Sequence, residues 1–524
     1  MKLTNITQKL LFISLFALLL SSSIMSCSNT NENPRFVLPD ELRELVNTNR
    51  RIALPPPADN LVEMLNSFQT PNLTAEADNA TAQRVIQSRQ RRGERPATLT
   101  HEQIISELDF LFNVLRYGYG AYQYFGGDDV FLPLKQSMIA QLSQKEQPVN
   151  IDDYITNLLV PSLRSVIADN HFRIDHFSIG VRSQFYMNED YILREIENGF
   201  ITEIDGQTYQ FSGATLNQQT VKGILPTLTK KGEFAWAFGY VAYNLPPTNT
   251  ADPTLDLTVS LKNTETNAVS CRTIQLYSQP NASGLSTDTY FITEKEGITV
   301  LSNRRLWGQD QSVLQSFAET GRELRNEPIL ILDLRGHEGG NDGFAARWIQ
   351  QYTRGSIGSN VLRFIRHFTR GSSVFAGNVL RSATVGELSQ WLAPVSPPQW
   401  RVRRPGILSV IQNENLVIVL TDNAIMSTGD AFVGMLRQLE NVLFVGANTS
   451  GTLVTGNIVG VPLPYSRANV AFGIHLNILP DLSPFEGVGF APDLWVAPDA
   501  SLERVLLFVN SLGNDTLLIP NEAK

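Results

Sequence analysis

The chain has 524 residues, 42% of them hydrophobic, so it can bury a large core shared among about two to four domains. Lys and Arg total 42 against 51 Asp and Glu, a net charge of −9, which argues against nucleic acid as a partner. Only 18% of the residues are charged and aromatics run throughout, so an ordered, packed chain is expected over most of its length.

Lys2 and Lys9 precede "LLFISLFALLLSSSI", an apolar stretch of signal-peptide length, too short and too poorly flanked for a stable membrane span. It ends in "IMSC", where the residues before Cys27 resemble a bacterial lipobox. The expectation is a leader over 1–26 and a lipidated Cys27; ordinary cleavage beside an incidental cysteine is the alternative. The only other cysteine is Cys271, so lipid on Cys27 leaves no intramolecular disulfide. Such an anchor carries three acyl chains and holds firmly where one chain alone would not. A membrane-anchored lipoprotein of the bacterial cell envelope follows, on its periplasmic side or at the surface.

Residues 27–99 read as a tether and irregular arm, with "SNTNENP", the helix-breaking "LPPP" and the charge run "SRQRRGERP". From 100 to 190 the pattern is helical: "HEQIISELDFLFNVLRYGYGAY" aligns Ile104, Leu108, Leu111 and Leu115, with Thr100 as its cap. Over 191–285, "GFITEIDGQTYQF", "TLDLTVSLKN" and "CRTIQLYSQ" alternate with turn signals, giving a small β-rich module. Over 286–500 the order becomes strand, loop, helix. "PILILDLRGHEGGNDGFAARWIQQYT" and "LVIVLTDNAIMSTGDAFVGMLRQLE" each pass from a fully apolar run through a Gly or Ser turn into a helix. Parallel sheets read this way, with functional loops at the carboxyl ends of the strands. Between these units, residues 355–410 form a lid or edge insertion, and 501–524 a final helix and tail.

Two loops carry candidate chemistry. "DLRGHEGG" (Asp333–Gly340) places three glycines after a buried strand, letting the backbone approach a ligand with its N–H groups turned inward. It lacks GKS, GKT and GxGxxG, so a nucleotide is not indicated, and a tight turn without a ligand remains open. Ser427 in "IMSTGD" sits before a helix N-terminus, where N–H groups and the helix dipole favour an oxyanion. That suits an acyl-transfer nucleophile with the Thr428 N–H as one donor, although capping alone would also explain a serine there. No His or Cys cluster has metal-ligand spacing, and no metal or cofactor is expected.

The two loops in this order resemble the C-terminal processing (tail-specific) protease and tricorn-core family of serine peptidases. There "DLRxNxGG" is followed by "TASASE" and "GxxTxGK". "MSTGDAFVGML" lies over the second motif, placing Ser427 on the nucleophile and Asp430 on its glutamate, and "VGANTSGT" lies over the third. His337 replaces the Asn of the first motif, and Thr452 the lysine base of the third. No lysine lies between Lys295 and Lys524, so the resemblance points to the tricorn-like branch, whose base is the histidine of a "DxH" segment supported by a C-terminal glutamate. His171 in "ADNHFRI" and Glu486 in "SPFEGVGFAPD" match these positions, with Asn170 as the bridge between them.

The resemblance spans about residues 100–500 and implies an α+β multidomain fold. Its parts are an N-terminal helical subdomain, a PDZ-like β module and an αβα core of the Clp-protease/crotonase-like kind. It implies a serine endopeptidase acting on polypeptides, with Ser427 as nucleophile, His171 as base, Glu486 and Asn170 orienting it, and the N–H groups of Thr428 and of Gly339 or Gly340 holding the oxyanion. His337 with Glu338 is an alternative base–orienter pair, and His176 stands close to His171. The rival functions are an inactive peptide-binding lipoprotein on the same scaffold and an esterase.

Overall fold

The computed structural model describes residues 38–53, 58–60, 63, 75–90, 93–247, 252–308, 310–355, 357, 362–367, 399–403, 410–479 and 481–512. Cys27, the leader, "SNTNENP", "LPPP" and the tail beyond 512 lie outside them. Among the described residues no helix is long and apolar enough to cross a membrane.

The continuous apolar runs form one parallel sheet. Its order is Tyr290–Lys295, Ile298–Asn303, Ile329–Asp333, Leu416–Thr421, Val442–Gly446 and Leu494–Trp495, with only the first pair antiparallel. Alternate side chains enter two cores. Leu330, Leu332, Val417, Val419 and Phe444 meet the helices Gln311–Glu323, Asp342–Thr353 and Thr428–Leu436 through Phe317, Trp348 and Phe432. Ile329, Ile331, Ile418, Leu420 and Val445 meet Val505 and Phe508 of the helix Ser501–Ser511. Coverage on both faces is why these strands lack polar alternation.

Leu42 and Val46 of the helix Asp40–Ala53 also enter that second core, and Val85 of Ala75–Gln90 enters a third. The arm expected to be irregular therefore holds two helices. The polar and charged residues around Leu42, Val46 and Val85 hid the apolar positions that fasten each helix.

That third core unites the helices of residues 101–164 with a second sheet. Ile104, Leu108, Leu111 and Leu115 all face it, and Thr100 caps its helix reciprocally with Gln103. The opposing strands are Thr455–Pro462 and Asn469–Ile478, joined by Arg173–Ile174 and Phe177–Ser178. Helix stops at Arg164, not near 190, because the chain here adds strands to that sheet. The described parts of the 355–410 insertion, Leu362–His367 and Gln399–Arg403, are its edge strands.

The β-rich module begins at Arg182 rather than 191. Strands Arg182–Ile196, Gly199–Ile204, Gln207–Leu216, Thr254–Asn263 and Val269–Ser278 form a ring, closed by Tyr277 and Ser278 pairing with Met187 and Tyr186. Leu193, Ile204, Leu257, Leu261 and Leu276 fill it. None of its described residues, 182–247 and 252–278, is helical.

A buried ion cluster anchors the end of the strand Ile329–Asp333. Arg304 donates to the Asp333 carbonyl and Oδ2, both at 2.8 Å, and Arg335 donates to both carboxylate oxygens, also at 2.8 Å. Burial alone would raise the Asp333 pKa, but the two guanidinium groups outweigh it and hold it below the usual carboxylate value. Asp333→Ala leaves both guanidiniums buried and unpaired, and is expected to cost about 3–5 kcal/mol in chemical denaturation.

Candidate active site

Strands Ile329–Asp333 and Leu416–Thr421 are parallel neighbours, so their C-terminal loops emerge side by side. Three contacts join them: Leu334 N–H to Leu420 O, Gly336 N–H to Asp422 Oδ1 at 2.9 Å, and Met426 N–H to His337 O at 3.0 Å. Gly339 touches the serine directly, since a Cβ there would stand 2.9 Å from Ser427 Cβ.

Ser427 does not cap its helix. It is partly exposed, its φ is 56° and ψ −115°, and its side chain makes no cap hydrogen bond. A non-glycine residue in this region is strained and persists only where its surroundings enforce it. Among the described residues the N–H groups of Thr428 and Gly340 make no hydrogen bond. The Thr428 hydroxyl ties the two loops, donating toward Gly340 O (2.8 Å) and Asp342 Oδ1 (2.6 Å).

Gly339 departs from expectation as an oxyanion donor. Its N–H is spent on His337 Nδ1 at 3.0 Å, which leaves Gly340 as the available loop amide. His337 itself is wholly buried, its pKa lowered to about 3 chiefly by that burial, while Glu338 is exposed. Buried, with one nitrogen accepting from its own loop, His337 is unsuited to the role of base.

Asp430, one turn into the helix, is fully buried. Its carboxylate accepts from Gly451 N–H (3.1 Å) and Thr452 N–H (2.9 Å). The third motif is thus fastened to the helix that follows Ser427. Burial raises the Asp430 pKa to about 6 against the pull of those donors.

His171 arrives on the loop between the last helix of the helical layer and Arg173–Ile174. Its Nδ1 is buried without a partner, and its backbone N–H donates to Asp169 Oδ1 at 2.9 Å. Burial lowers the imidazole pKa, opposed by the Asp169 charge, the Thr455 carbonyl and the Asp342 charge, so the ring is neutral at neutral pH. His176 stacks on Phe177, its ring centroid 4.0 Å away.

Glu486 does not reach His171 through the Asn170 side chain. Glu486 Oε1 accepts the backbone N–H of Asn170 at 2.6 Å, and Oε2 accepts Leu453 N–H (3.2 Å) and Val454 N–H (2.9 Å). Asn170 Oδ1 is occupied by Val181 N–H at 2.9 Å. The carboxylate nearest His171 in the chain is instead Asp169, fully buried and held by Tyr119 Oη (2.8 Å) and Thr455 Oγ1 (2.9 Å). Sequence reasoning gave Asp169, Tyr119 and Thr455 no role, although Asp169 is the first residue of the "DxH" segment that ends at His171.

Residues 305–496 match the model of Peptidase family S41. The matching segment holds Ser427, Asp430, Glu486 and the glycine loop, while His171 and Asp169 lie before it. No curated protein matches the chain. Among solved structures, mature CPAF is 13% identical, covering 80% of this chain and 97% of its own, at a TM-score of 0.41. The photosystem II D1 C-terminal processing protease is 14% identical, with 79% and 99% covered and a TM-score of 0.34. A putative S41 protease from Bacteroides fragilis NCTC 9343 is 13% identical, with 80% and 98% covered and a TM-score of 0.30. These likenesses are distant and carry no argument about chemistry.

Asp430 sets a pH dependence of stability. A folded pKa of about 6 against 3.8 means that the folded chain holds the extra proton between those values. The stabilisation is therefore present below pH 4 and lost as pH rises to 6, by about 3 kcal/mol. Denaturation of the wild type and Asp430→Asn at pH 4 and pH 6.5 should show this difference only in the wild type.

Proposed function

We propose that this chain is an exported serine endopeptidase that hydrolyses peptide bonds of polypeptides through an acyl-enzyme on Ser427. The observation that carries the reading is the serine's strained backbone with a hydroxyl left out of capping, beside two unpaired amides. A capping serine would adopt extended backbone and spend its oxygen on the N2 or N3 amide.

In the proposed reaction the neutral His171 imidazole takes the Ser427 proton as Oγ attacks the substrate carbonyl. The Thr428 and Gly340 N–H groups receive the oxyanion. His171 then gives its proton to the leaving amine, and water repeats the sequence on the ester. Glu486 and Asp169 act as positioning residues on the backbone around His171, with Asn170 contributing its amide rather than its side chain. The barrel stands where the family has its PDZ-like module, and the doubly covered parallel sheet corresponds to the Clp-protease/crotonase-like core. Cys27 carries the lipid that holds the protein to the cell envelope.

A fluorophosphonate probe should label the wild type and not Ser427→Ala; absence of labelling in folded wild type would reject the nucleophile. His171→Ala should lower kcat by about 10²–10⁴-fold with little change in KM. Because the imidazole pKa is lowered, activity should hold from neutral pH down past the ordinary histidine value and fall only below it. Fatty-acid labelling in the producing bacterium should disappear in Cys27→Ser.

A further inference from the structure

A cavity of about 260 Å³ opens beside the loop that carries His171. Its lining includes Phe125, Leu453, Val454, Ile478, Leu479 and Phe485, and both Ala168 and Glu486 border it. An engineered cavity of about 150 Å³ already holds benzene, so this one admits a single aliphatic or aromatic side chain. It falls short of the roughly 300–1,000 Å³ that whole small ligands occupy.

Position says whose side chain that is. Leu453 and Val454 follow directly on Gly451 and Thr452, the residues that Asp430 fastens to the helix that follows Ser427. Ala168 stands next to Asp169, whose carboxylate accepts the His171 amide. The cavity is thus walled by the neighbours of both proposed reacting groups. Glu486 is its acidic member, and both oxygens are already engaged by three backbone amides. It offers little to an incoming cation, which would also have to leave water for hydrocarbon.

Resting on the peptidase reading above, we infer that this cavity is a specificity subsite for one apolar side chain of the polypeptide substrate, aliphatic or aromatic, flanking the bond that is cut. Asn244, near the end of the strand Phe234–Leu245 that pairs with Arg182–Ile196 outside the ring, also lines it. The β-rich module therefore shares in selecting the substrate.

The test maps cleavage sites in an unstructured protein by mass spectrometry, using the wild type and two variants of the cavity lining that leave the proposed reacting groups in place. Ser483→Trp adds an indole at the lining, and Leu479→Ala widens the cavity. The wild type should cut where an apolar residue stands at one fixed position from the scissile bond. Ser483→Trp should lower kcat/KM at sites with large apolar residues by about ten-fold or more while fluorophosphonate labelling of Ser427 persists. Leu479→Ala should shift the preference towards larger side chains, and it decides the matter alone if Ser483→Trp fails to label. A wild-type preference for basic residues, or for none at any position, overturns the subsite and leaves the peptidase standing. Cleavage with unaltered selectivity in labelled variants does the same. A wild type that neither labels nor cleaves overturns the peptidase reading, and the subsite with it.

Discussion

Two carboxylates clamp the backbone of residues 451–454, and the geometry of the candidate site depends on that clamp. Asp430 holds the amides of Gly451 and Thr452, and Glu486 holds those of Leu453 and Val454. Each carboxylate also belongs to one half of the proposed chemistry: Asp430 lies in the first turn of the helix that follows Ser427, and Glu486 accepts the amide beside His171. Neither has a cation partner among the described residues, and burial pushes both pKa values up, Asp430 to about 6. Backbone N–H groups are what make these carboxylates tolerable away from water, and four consecutive amides would be orphaned without them.

The strain at Ser427 is enforced rather than accidental. A residue in so sparsely populated a region costs roughly 1–3 kcal/mol, and the restraints here come from three directions. Met426 is tied to the His337 carbonyl, the Ser427 carbonyl accepts from Ala431 N–H, and Gly339 packs so close that any side chain there would collide with the serine. His337 contributes as a buried acceptor. By engaging the Gly339 amide it turns that group inward and leaves Gly340, exposed and with φ of 140°, to present the loop's free N–H.

What could be read from the sequence was local. The apolar runs announced a doubly covered sheet, and Thr100 with Gln103 announced a helix start; both follow from periodicity and capping chemistry within a few residues. The Ser427 turn was legible for the same reason. Closure of the barrel was not, because alternation says which face a strand buries and nothing about which distant strand it pairs with. The contacts of Asp169 with Thr455 and of Asn170 with Glu486 join residues 286 and 316 positions apart, and no local pattern records them. Asn170 was expected to bridge because its side chain can donate and accept. The fold gave that side chain to Val181 and used the backbone instead, which any residue but proline could supply.

Leu453 and Val454 are consecutive, yet they belong to different cores. Leu453 packs with the parallel sheet and its helices, and Val454 with the helical layer and the second sheet. Their side chains therefore lock the seam between the body that carries Ser427 and the body that carries His171, while Glu486 holds both amides from one side. Ser427 and the proposed base have no sheet, helix or turn in common, so this seam helps to set their relation. A shift of one core against the other would be felt there first, in the hydrogen bonds of a single carboxylate. The apolar cavity opens on the same two residues, and a side chain filling it would press both cores against that carboxylate. Substrate binding and the alignment of the reacting groups would then be one mechanical event.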